Sequence, residues 1–202
     1  MERLTLRDTR MAAERADEML SIATEYGMEF YLKLAIFFRG WAMAAAGRGD
    51  DGISEMRRSI SDPMVGGFYL VMLVALAETC GKNGRAEEGL DLVAAALATA
   101  EQTGSRTVEA ELHRLKGELL VLRDRRNVAK AEHCLRTAID VARRQSARLF
   151  ELRATVSLAR LLRDTNRRDE ARAMLAEIYN WFTEGFDTAD LKDAKALLEE
   201  LK

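Results

Sequence analysis

Small side chains recur along the chain at a nearly constant spacing, and this feature constrains the fold more than any other. One small residue comes late in each of four apolar helical periods, at Gly40, Ala77, Gly117 and Ala159. A second small residue follows twelve residues later in the first, second and fourth periods. In the third period it follows fourteen residues later. Two antiparallel helices approach closest where both lack bulky side chains, so the spacing predicts helix hairpins.

The second small residue of each period starts a further regular pattern. Four residues after it comes a larger apolar side chain, which would fill the space beside the close contact. Another residue of the pattern follows three positions later. The three positions are occupied by Gly52, Met56 and Ser59, then by Gly89, Val93 and Ala96, by Ala131, Leu135 and Ala138, and by Ala171, Leu175 and Ile178.

Helical periodicity covers almost the whole sequence, and the alternation typical of β-strands is not found. Glycine or asparagine at the end of an apolar period is a helix C-terminal signal. We therefore expect an all-α protein with short loops. The predicted breaks fall at Gly27, 47–49, 62–67, 81–84, Gly104, 123–127, Ser146 and Asn166.

This order of small, small, large and small residues resembles the tetratricopeptide repeat over about residues 28–183. The resemblance implies an α–α superhelix, a solenoid of antiparallel hairpins whose first helices line a concave face. The units are 37, 40 and 42 residues apart, longer than the usual repeat of about 34. The proline that closes each unit is missing, apart from Pro63 near one such position. The expected hairpins span about 28–62, 66–103, 106–145 and 148–183.

The start of the sequence repeats the second-helix pattern without a first helix before it. Ala16, Leu20 and Ala23 carry this pattern, so residues 8–26 are expected to form a half-hairpin of a single repeat domain, 1–202. The chain then looks like part of a longer protein. An opening helix without its partner would leave apolar side chains uncovered, which predicts a homodimer through Met11, Met19 and Ile22.

A final helix over 188–201 is predicted to cap the solenoid. Leu191, Ala194, Leu198 and Leu201 form one apolar stripe, and Asp187 is placed to cap its N-terminus. A terminal helix with a polar outer face closes the last exposed core face of a repeat stack. The side chains expected on that outer face are Lys192, Asp193, Lys195, Glu199 and Glu200.

The C-terminal two thirds of the sequence carry a second resemblance. Residues 181–188, 190–192 and 194–198, together with 76–89 and 117–120, are similar to the C-terminal helical-repeat region of large bacterial proteins. Those proteins combine a class III nucleotide cyclase domain with an AAA-type ATPase domain. The resemblance implies a signalling context in which attached cyclase and ATPase domains are partners. It carries over neither activity, because neither domain is present in this sequence.

Composition excludes several classes of protein. The 31 basic and 33 acidic side chains give a net charge of -2, which argues against a chain that coats nucleic acid or an anionic membrane. Charge begins at Glu2, so we expect no apolar signal region at the start of this sequence. The longest apolar stretch, 68–77, is about half of what spans a bilayer. Cys80 and Cys134 are too few for a disulfide framework. We expect a cytoplasmic protein.

No pattern in the sequence points to catalysis, a cofactor or a metal. There is no glycine-rich phosphate loop. His113 and His133 are the only histidines, and His133 diverges from its neighbour Cys134 by about 100 degrees on a helix. Acidic and basic pairs fall at helix ends, where acids interleave with the arginines, so solvation explains them. We expect neither an enzyme nor a nucleic-acid binder.

The first helices are expected to direct certain side chains into a groove. Such a groove is apolar at its N-terminal end and charged at its C-terminal end, which suits a peptide with an apolar anchor and an acidic stretch. Alternatively, Phe37 and Trp41 pack against a repeat upstream of this sequence. The expected groove residues are Phe37, Trp41, Glu78, Glu111, Arg114, Glu118, Arg153 and Arg160, beside Leu34, Val74, Lys82 and Arg163.

The sequence therefore predicts a non-enzymatic interaction scaffold or regulatory module that binds a peptide or a partner domain along its concave face. The alternative is a small-ligand sensor domain of a bacterial signalling or transcriptional regulator. An open polar trough favours the first function, whereas a closed apolar pocket favours the second.

Overall fold

The computed structural model describes residues 6–60 and 68–202, and this part of the chain contains ten α-helices and no β-strand. The loop expected at 62–67, with Pro63, lies outside the described residues. The helices are α1 (Leu6–Glu25), α2 (Glu29–Ala45), α3 (Gly49–Ile60), α4 (Phe68–Lys82), α5 (Ala86–Thr103), α6 (Glu109–Arg123), α7 (Val128–Arg144), α8 (Arg148–Asp164), α9 (Arg168–Tyr179) and α10 (Ala189–Glu200).

Consecutive helices pack against each other as hairpins, and the hairpins stack. Helix α2 packs on α3, α6 on α7 and α8 on α9, while α2 also contacts α4 and α6 contacts α8. Helix α10 packs on both α8 and α9. Contact between successive first helices is the arrangement expected of stacked repeats. The prediction of an all-α, tetratricopeptide-like fold is confirmed.

The chain divides into two compact units. One unit is made of the described residues up to Thr99, and the other is made of Ala100–Lys202. The single repeat domain over 1–202 and its hairpin boundaries stay predictions. Each unit has its own buried side chains, among them Ile53, Met56, Met72 and Leu76 in the first, and Leu112, Leu115, Leu135, Leu152, Leu158 and Leu175 in the second.

The helices of a hairpin touch where the sequence places small residues. A Cβ added to Gly40 would lie 2.7 Å from the carbonyl oxygen of Gly52 and 2.9 Å from the amide nitrogen of Met56. In the second unit, a Cβ on Gly117 would lie 2.8 Å from Cγ of Leu135. At the first position the obstructing atoms belong to the backbone, which cannot move as a side chain can. The absence of a side chain is therefore a steric requirement of the α2–α3 hairpin.

Most turns end the preceding helix with one residue in the left-handed region. In the first unit this residue is a glycine, such as Gly84 with φ +76°. In the second unit Ser146 and Asn166 adopt the same conformation, with φ of 54° and 63°. The N–H of the next residue then donates to a carbonyl five residues back. These bonds join Arg85 to Cys80 at 2.9 Å, Ala147 to Ala142 at 2.9 Å and Arg167 to Leu162 at 2.8 Å.

The start of α10 differs from the expectation that Asp187 caps it. Thr188 is the residue before the helix, with extended dihedral angles, and no side chain caps the first turn. The Thr188 hydroxyl donates instead to the carbonyl of Gly185 at 2.7 Å. Leu191, Ala194 and Leu197 are buried, whereas Leu198 of the expected stripe is half-buried.

Among the helices that the structure describes, none combines the length and the apolar character needed to cross a lipid bilayer.

Substitution of Gly52 tests the close contact. An added methyl group at this position would lie 2.6 Å from the amide nitrogen of Ala44. Overpacking typically costs about 1–3 kcal/mol, and we expect about 2–3 kcal/mol here because the obstructing atoms belong to the backbone. Alanine regains about 1 kcal/mol through its helix propensity. We therefore expect Gly52→Ala to lower the free energy of unfolding by about 1–2 kcal/mol, measured by urea denaturation followed by circular dichroism.

The matched control is Ser54→Ala, an exposed position of the same helix. Its free energy of unfolding should stay within about 0.5 kcal/mol of the wild-type value. Equal stability of the two variants would contradict a steric role for Gly52.

Candidate functional site

In the first unit, the structure separates the groove residues expected from the sequence. Phe37 lies on α2 with 2% of its surface exposed, so its ring belongs to the interior and cannot reach a ligand without rearrangement. Trp41 is half-buried on the same helix. Glu78 on α4 is partly exposed and pairs with Lys82, with 2.9 Å between oxygen and nitrogen. The expectation that Phe37 faces a groove is corrected by its burial.

In the second unit, four polar side chains form a charged network, which we define as Glu111, Arg114, Glu118 and Ser157. The first three lie on one face of α6 because they are spaced by three and four residues. Arg114 donates to Glu111 Oε1 at 2.7 Å and contacts Glu118 Oε1 at 2.7 Å. Ser157 of α8 donates to Glu118 at 2.5 Å. The network thus joins the first helices of two successive hairpins.

Burial distinguishes this network from the ion pairs of the surface. Glu111 and Arg114 are only 6% and 5% exposed. Oε2 of Glu111 is buried and has no hydrogen-bond partner among the described residues. A buried carboxylate oxygen without a donor loses its hydrogen bonds to water and gains none in the protein, which costs free energy. The network therefore holds one acceptor that the described side chains leave unsatisfied.

Three of the four arginines of α8 form a second group, the arginine ladder, defined as Arg153, Arg160 and Arg163. All three bind carboxylates of α10. Arg153 donates from Nε and Nη2 to the two oxygens of Asp190, at 3.0 and 2.7 Å. Arg160 binds Asp193 at 2.5 Å, and Arg163 binds Glu200 at 2.9 Å. These arginines already hold carboxylates of their own chain.

The ladder corrects two sequence-based expectations. Asp193 and Glu200 are expected on the outer face of α10, but their carboxylates reach arginines of α8. Asp193 is half-buried in this contact, whereas the side chain of Glu200 stays exposed. Arg153 and Arg160 were expected to grip the acidic stretch of a partner. Burial alone lowers the pKa of Arg153, yet hydrogen bonds to Asp190 and the charge of Glu111 raise it overall. Arg153 is therefore a cation held by Asp190.

On the second helices of this unit, Glu132, Arg136, Arg167 and Glu170 form a closed ring of ion pairs. Each arginine contacts both carboxylates, at 2.7–2.8 Å. Burial raises the pKa of Glu132, but hydrogen bonds from Arg136 and Arg167 outweigh it and lower this pKa overall. The same hydrogen bonds lower the pKa of Glu170. The ring ties α7 to the start of α9.

In the first unit, α3, α4 and α5 form a surface groove of about 680 Å³ that is open to solvent. We call it the α5 groove. Ile60, Leu73 and Leu76 are almost fully buried beneath it, and Leu92 is half-buried at its side. The floor is therefore apolar, although solvent reaches it.

Charged side chains line the rim of the α5 groove. Arg57 of α3 pairs with Oε1 of Glu88, and Arg85 contacts Oε2 of the same carboxylate at 2.5 Å. Asp91 is exposed and has no ion-pair partner among the described residues. The Tyr69 hydroxyl has no hydrogen-bond partner in that same part of the chain. The rim thus offers one carboxylate and one phenol to a ligand.

The α5 groove is not among the surfaces expected from the sequence, because only the first helices are expected to face a ligand. One residue in the sequence does indicate this groove. Leu92 is a large apolar residue of α5 that lies outside the pattern of Gly89, Val93 and Ala96. A bulky apolar side chain off the packed face of a second helix indicates a further contact surface.

The nucleophilic and metal-ligating side chains of the described residues form no reactive cluster. Cys80 and Cys134 are both buried and unpaired. Burial raises the pKa of both thiols, which keeps them protonated near neutral pH. Burial also lowers the pKa of His113. Within the described ranges, no three histidine, cysteine or acidic side chains lie close enough together to hold a metal ion.

No protein-family model matches the chain, and no curated protein matches its sequence. In structure, the chain is similar to PlcR of Bacillus thuringiensis in its complex with the peptide PapR7 and DNA. The TM-score is 0.67 at 14% identity, over 96% of this chain and 74% of PlcR. At this identity the likeness establishes the fold. The absence of a nucleic-acid partner, attached cyclase or ATPase domains, and a homodimer through α1 stay predictions.

Breaking the bond between α8 and α10 tests the strength of the arginine ladder. The side chains of Arg153 and Asp190 are only 14% and 10% exposed. Removing one member of a buried pair costs about 3–5 kcal/mol, because the other charge is left desolvated. Since this pair keeps some solvent contact, we expect Asp190→Asn to lower the free energy of unfolding by about 2–3 kcal/mol.

Asp51→Asn is the matched control, because Asp51 and its partner Arg48 are both more than half exposed. This control should lose less than about 1 kcal/mol. A loss in Asp190→Asn no larger than in the control would contradict a stabilising ladder. Both values come from urea denaturation.

The ring on α7 and α9 predicts a dependence of stability on pH. The ordinary pKa of a glutamate side chain is 4.5, and hydrogen bonds from Arg136 and Arg167 lower the pKa of Glu132 and Glu170 below it in the folded chain. The stabilisation is therefore complete above pH 4.5 and is lost as the pH falls through the folded pKa values. Because the ring is partly solvated, each carboxylate contributes at most about 1 kcal/mol.

The double variant Glu132→Gln, Glu170→Gln should be less stable than wild type at pH 7 and should lose less stability between pH 5 and pH 3. The control is Glu184→Gln, because Glu184 is exposed and has no ion-pair partner among the described residues. Parallel stability curves for the double variant and wild type would show that the ring contributes nothing. Thermal unfolding at each pH gives the comparison.

Proposed function

We propose that the chain is a non-enzymatic regulatory repeat module that binds a peptide segment or a partner protein through the first helices of its hairpins. The observation that carries this proposal is the charged network of Glu111, Arg114, Glu118 and Ser157. The network lies on the first helices α6 and α8, where tetratricopeptide-like stacks present their ligand-facing side chains.

The burial of the network supports a binding role. Replacing a buried ion pair by apolar side chains of similar volume is often neutral or stabilising. Helix α6 uses apolar side chains elsewhere, at Leu112 and Leu115, which are fully buried. A stack that needed only stability could use them at Glu111 and Arg114 as well. Polar groups on this face suit a partner that brings its own hydrogen bonds.

The unsatisfied oxygen of Glu111 indicates what the partner supplies. A carboxylate oxygen accepts hydrogen bonds only. The groups that complete it are donors, such as the backbone N–H of a peptide or the side chain of a lysine. Because this oxygen is buried, such a donor reaches it only when the surrounding side chains move. Since Arg114 and Arg153 already hold carboxylates of the chain, a partner with donors fits this face better than the purely acidic stretch expected from the sequence.

The structural likeness to PlcR supports regulation by peptide binding, because that regulator was crystallised with a peptide. The resemblance of the C-terminal sequence to helical regions of cyclase and ATPase proteins fits the same role. In such a protein, a peptide or partner bound to the repeat module would control the attached catalytic domains.

The alternative function, a small-ligand sensor, needs an enclosed site that buries most of a metabolite. The α5 groove has a suitable volume of about 680 Å³, but it is open to solvent. A groove that leaves one side of its ligand exposed favours a polypeptide over a metabolite. The peptide function is therefore the better supported of the two.

Selection from a displayed library of random peptides, with this chain as bait, tests the proposed function. We expect enriched peptides that bind one-to-one and saturably in fluorescence anisotropy. Glu111→Gln removes the charge but keeps the shape, and it should weaken binding at least about fivefold, or about 1 kcal/mol. Failure to enrich any saturable binder would contradict the peptide function.

Glu109→Gln is the matched control on the same helix, since the carboxylate of Glu109 pairs with Arg106 outside the network. Binding by this variant should stay within about twofold of wild type, as for a charge on the rim of an interface. Equal affinities of Glu109→Gln and Glu111→Gln would exclude the network as the site, even if the chain binds peptides elsewhere.

A further inference from the structure

We infer that the α5 groove is a second docking site, which takes a peptide segment carrying an apolar side chain next to a lysine or arginine. This site lies on α3, α4 and α5 and shares no residue with the charged network on α6 and α8. The inference therefore goes beyond the proposed function, and binding at the α5 groove is tested by separate variants.

The floor of the α5 groove selects an apolar side chain. Ile60, Leu73 and Leu76 line the bottom of the groove, each with less than a tenth of its surface exposed, and Leu92 adds a half-buried wall. The volume of about 680 Å³ lies within the range of about 300–1,000 Å³ that is typical of ligand sites. Covering this surface with a leucine or phenylalanine side chain removes apolar area from water.

The rim of the α5 groove selects a cation. Arg57 and Arg85 both pair with Glu88. Arg85 also contacts Asp50 at 3.6 Å, so these four charges cancel. Asp91 lines the groove and has no ion-pair partner in the part of the chain that the structure describes. A lysine or arginine placed beside the apolar anchor can pair with Asp91. An acidic residue there would be repelled by Asp91 and would lose part of its hydration.

The net charge of the first half of the sequence also favours a basic peptide. Residues 1–101 carry 11 basic and 16 acidic side chains, whereas residues 102–202 carry 20 and 17. The half of the sequence that forms the α5 groove is therefore net acidic. Its field attracts a basic segment and adds to the local effect of Asp91.

The shape of the α5 groove favours a polypeptide over a small molecule. The groove is open along its outer side, so a compact ligand would keep much of its surface in water. A peptide places one side chain on the floor and carries its basic side chain to the rim, where the Tyr69 hydroxyl can also donate to a peptide carbonyl.

Helix α5 supplies a matched pair of positions for the test. Ala94 and Ala95 are adjacent and both exposed, but only Ala95 lines the groove. Ala95→Gln places a longer neutral side chain in the groove, and Ala94→Gln makes the same change beside it. Glutamine has a helix propensity close to that of the other good helix formers, so both variants should fold.

A second pair of variants tests the charge of Asp91 without changing the size of the side chain. Asp91→Asn removes the unpaired carboxylate at the rim. Asp17→Asn makes the same change at an exposed position of α1, a helix that lines no part of the groove. Comparison of these two variants separates an effect at the rim from a general loss of negative charge.

The probe is a labelled peptide with the repeating order Leu-Lys-Leu-Leu-Lys, tested with the full chain by fluorescence anisotropy. Two matched peptides carry glutamate in place of lysine and serine in place of leucine. We expect both matched peptides, and the variant Ala95→Gln, to show binding weaker by at least about tenfold. Ala94→Gln and Asp17→Asn should bind within about twofold of wild type.

Asp91→Asn should weaken binding of the lysine peptide about three- to fivefold, as expected for an ion pair at a solvated rim, and this difference should shrink at high salt. Equal binding by Ala95→Gln and Ala94→Gln, equal binding of the glutamate peptide, or no binding of the lysine peptide would overturn the inference. Self-association of the chain that Ala95→Gln abolishes would also overturn it, since the occupant would then be a second copy.

The library selection distinguishes binding at the charged network from binding at the α5 groove. Selected peptides that respond to Glu111→Gln but not to Ala95→Gln would uphold the proposed function and remove the α5 groove as a site. Peptides that respond only to Ala95→Gln would support the groove and remove the charged network.

Discussion

The close approach of two helices at small residues is the constraint on which the rest of this structure depends. At Gly40 and Gly52 the backbones of α2 and α3 leave no room for a Cβ atom. This contact sets the distance between the two helices and the rotation of each about its axis. The rotation in turn decides which side chains of a helix reach the interior and which reach solvent or a neighbouring hairpin.

The two units use their remaining helix faces in different ways. In the second unit, polar contacts join successive first helices, through the charged network between α6 and α8 and the arginine ladder between α8 and α10. Such pairs give orientation and register more than net stability, since their desolvation offsets much of the attraction. In the first unit, α3, α4 and α5 leave an apolar floor accessible to solvent. The second unit therefore joins its helices through buried charges, whereas the first leaves an apolar groove open to solvent.

The candidate sites were only partly predictable from the sequence. Glu111, Arg114 and Glu118 were placed together because their spacing on one helix is a local property. Their degree of burial was not foreseen, since it depends on α8, whose Ser157 is far away in sequence. Phe37 was expected at a surface, but it is buried. An apolar side chain looks the same in a sequence whether it lines a groove or fills a core.

The sequence by itself determined the all-α class, the approximate helix boundaries and the small-residue contacts, because all of these follow from periodicity and spacing within short segments. Only the tertiary structure decided that Asp190, Asp193 and Glu200 bind Arg153, Arg160 and Arg163 of α8. It also decided that Asp91, which has no ion-pair partner among the described residues, lies beside an open apolar groove. The physical reason is that charge pairing and solvent access depend on which faces of distant helices meet. The periodicity of one helix does not encode the face on which its neighbour docks.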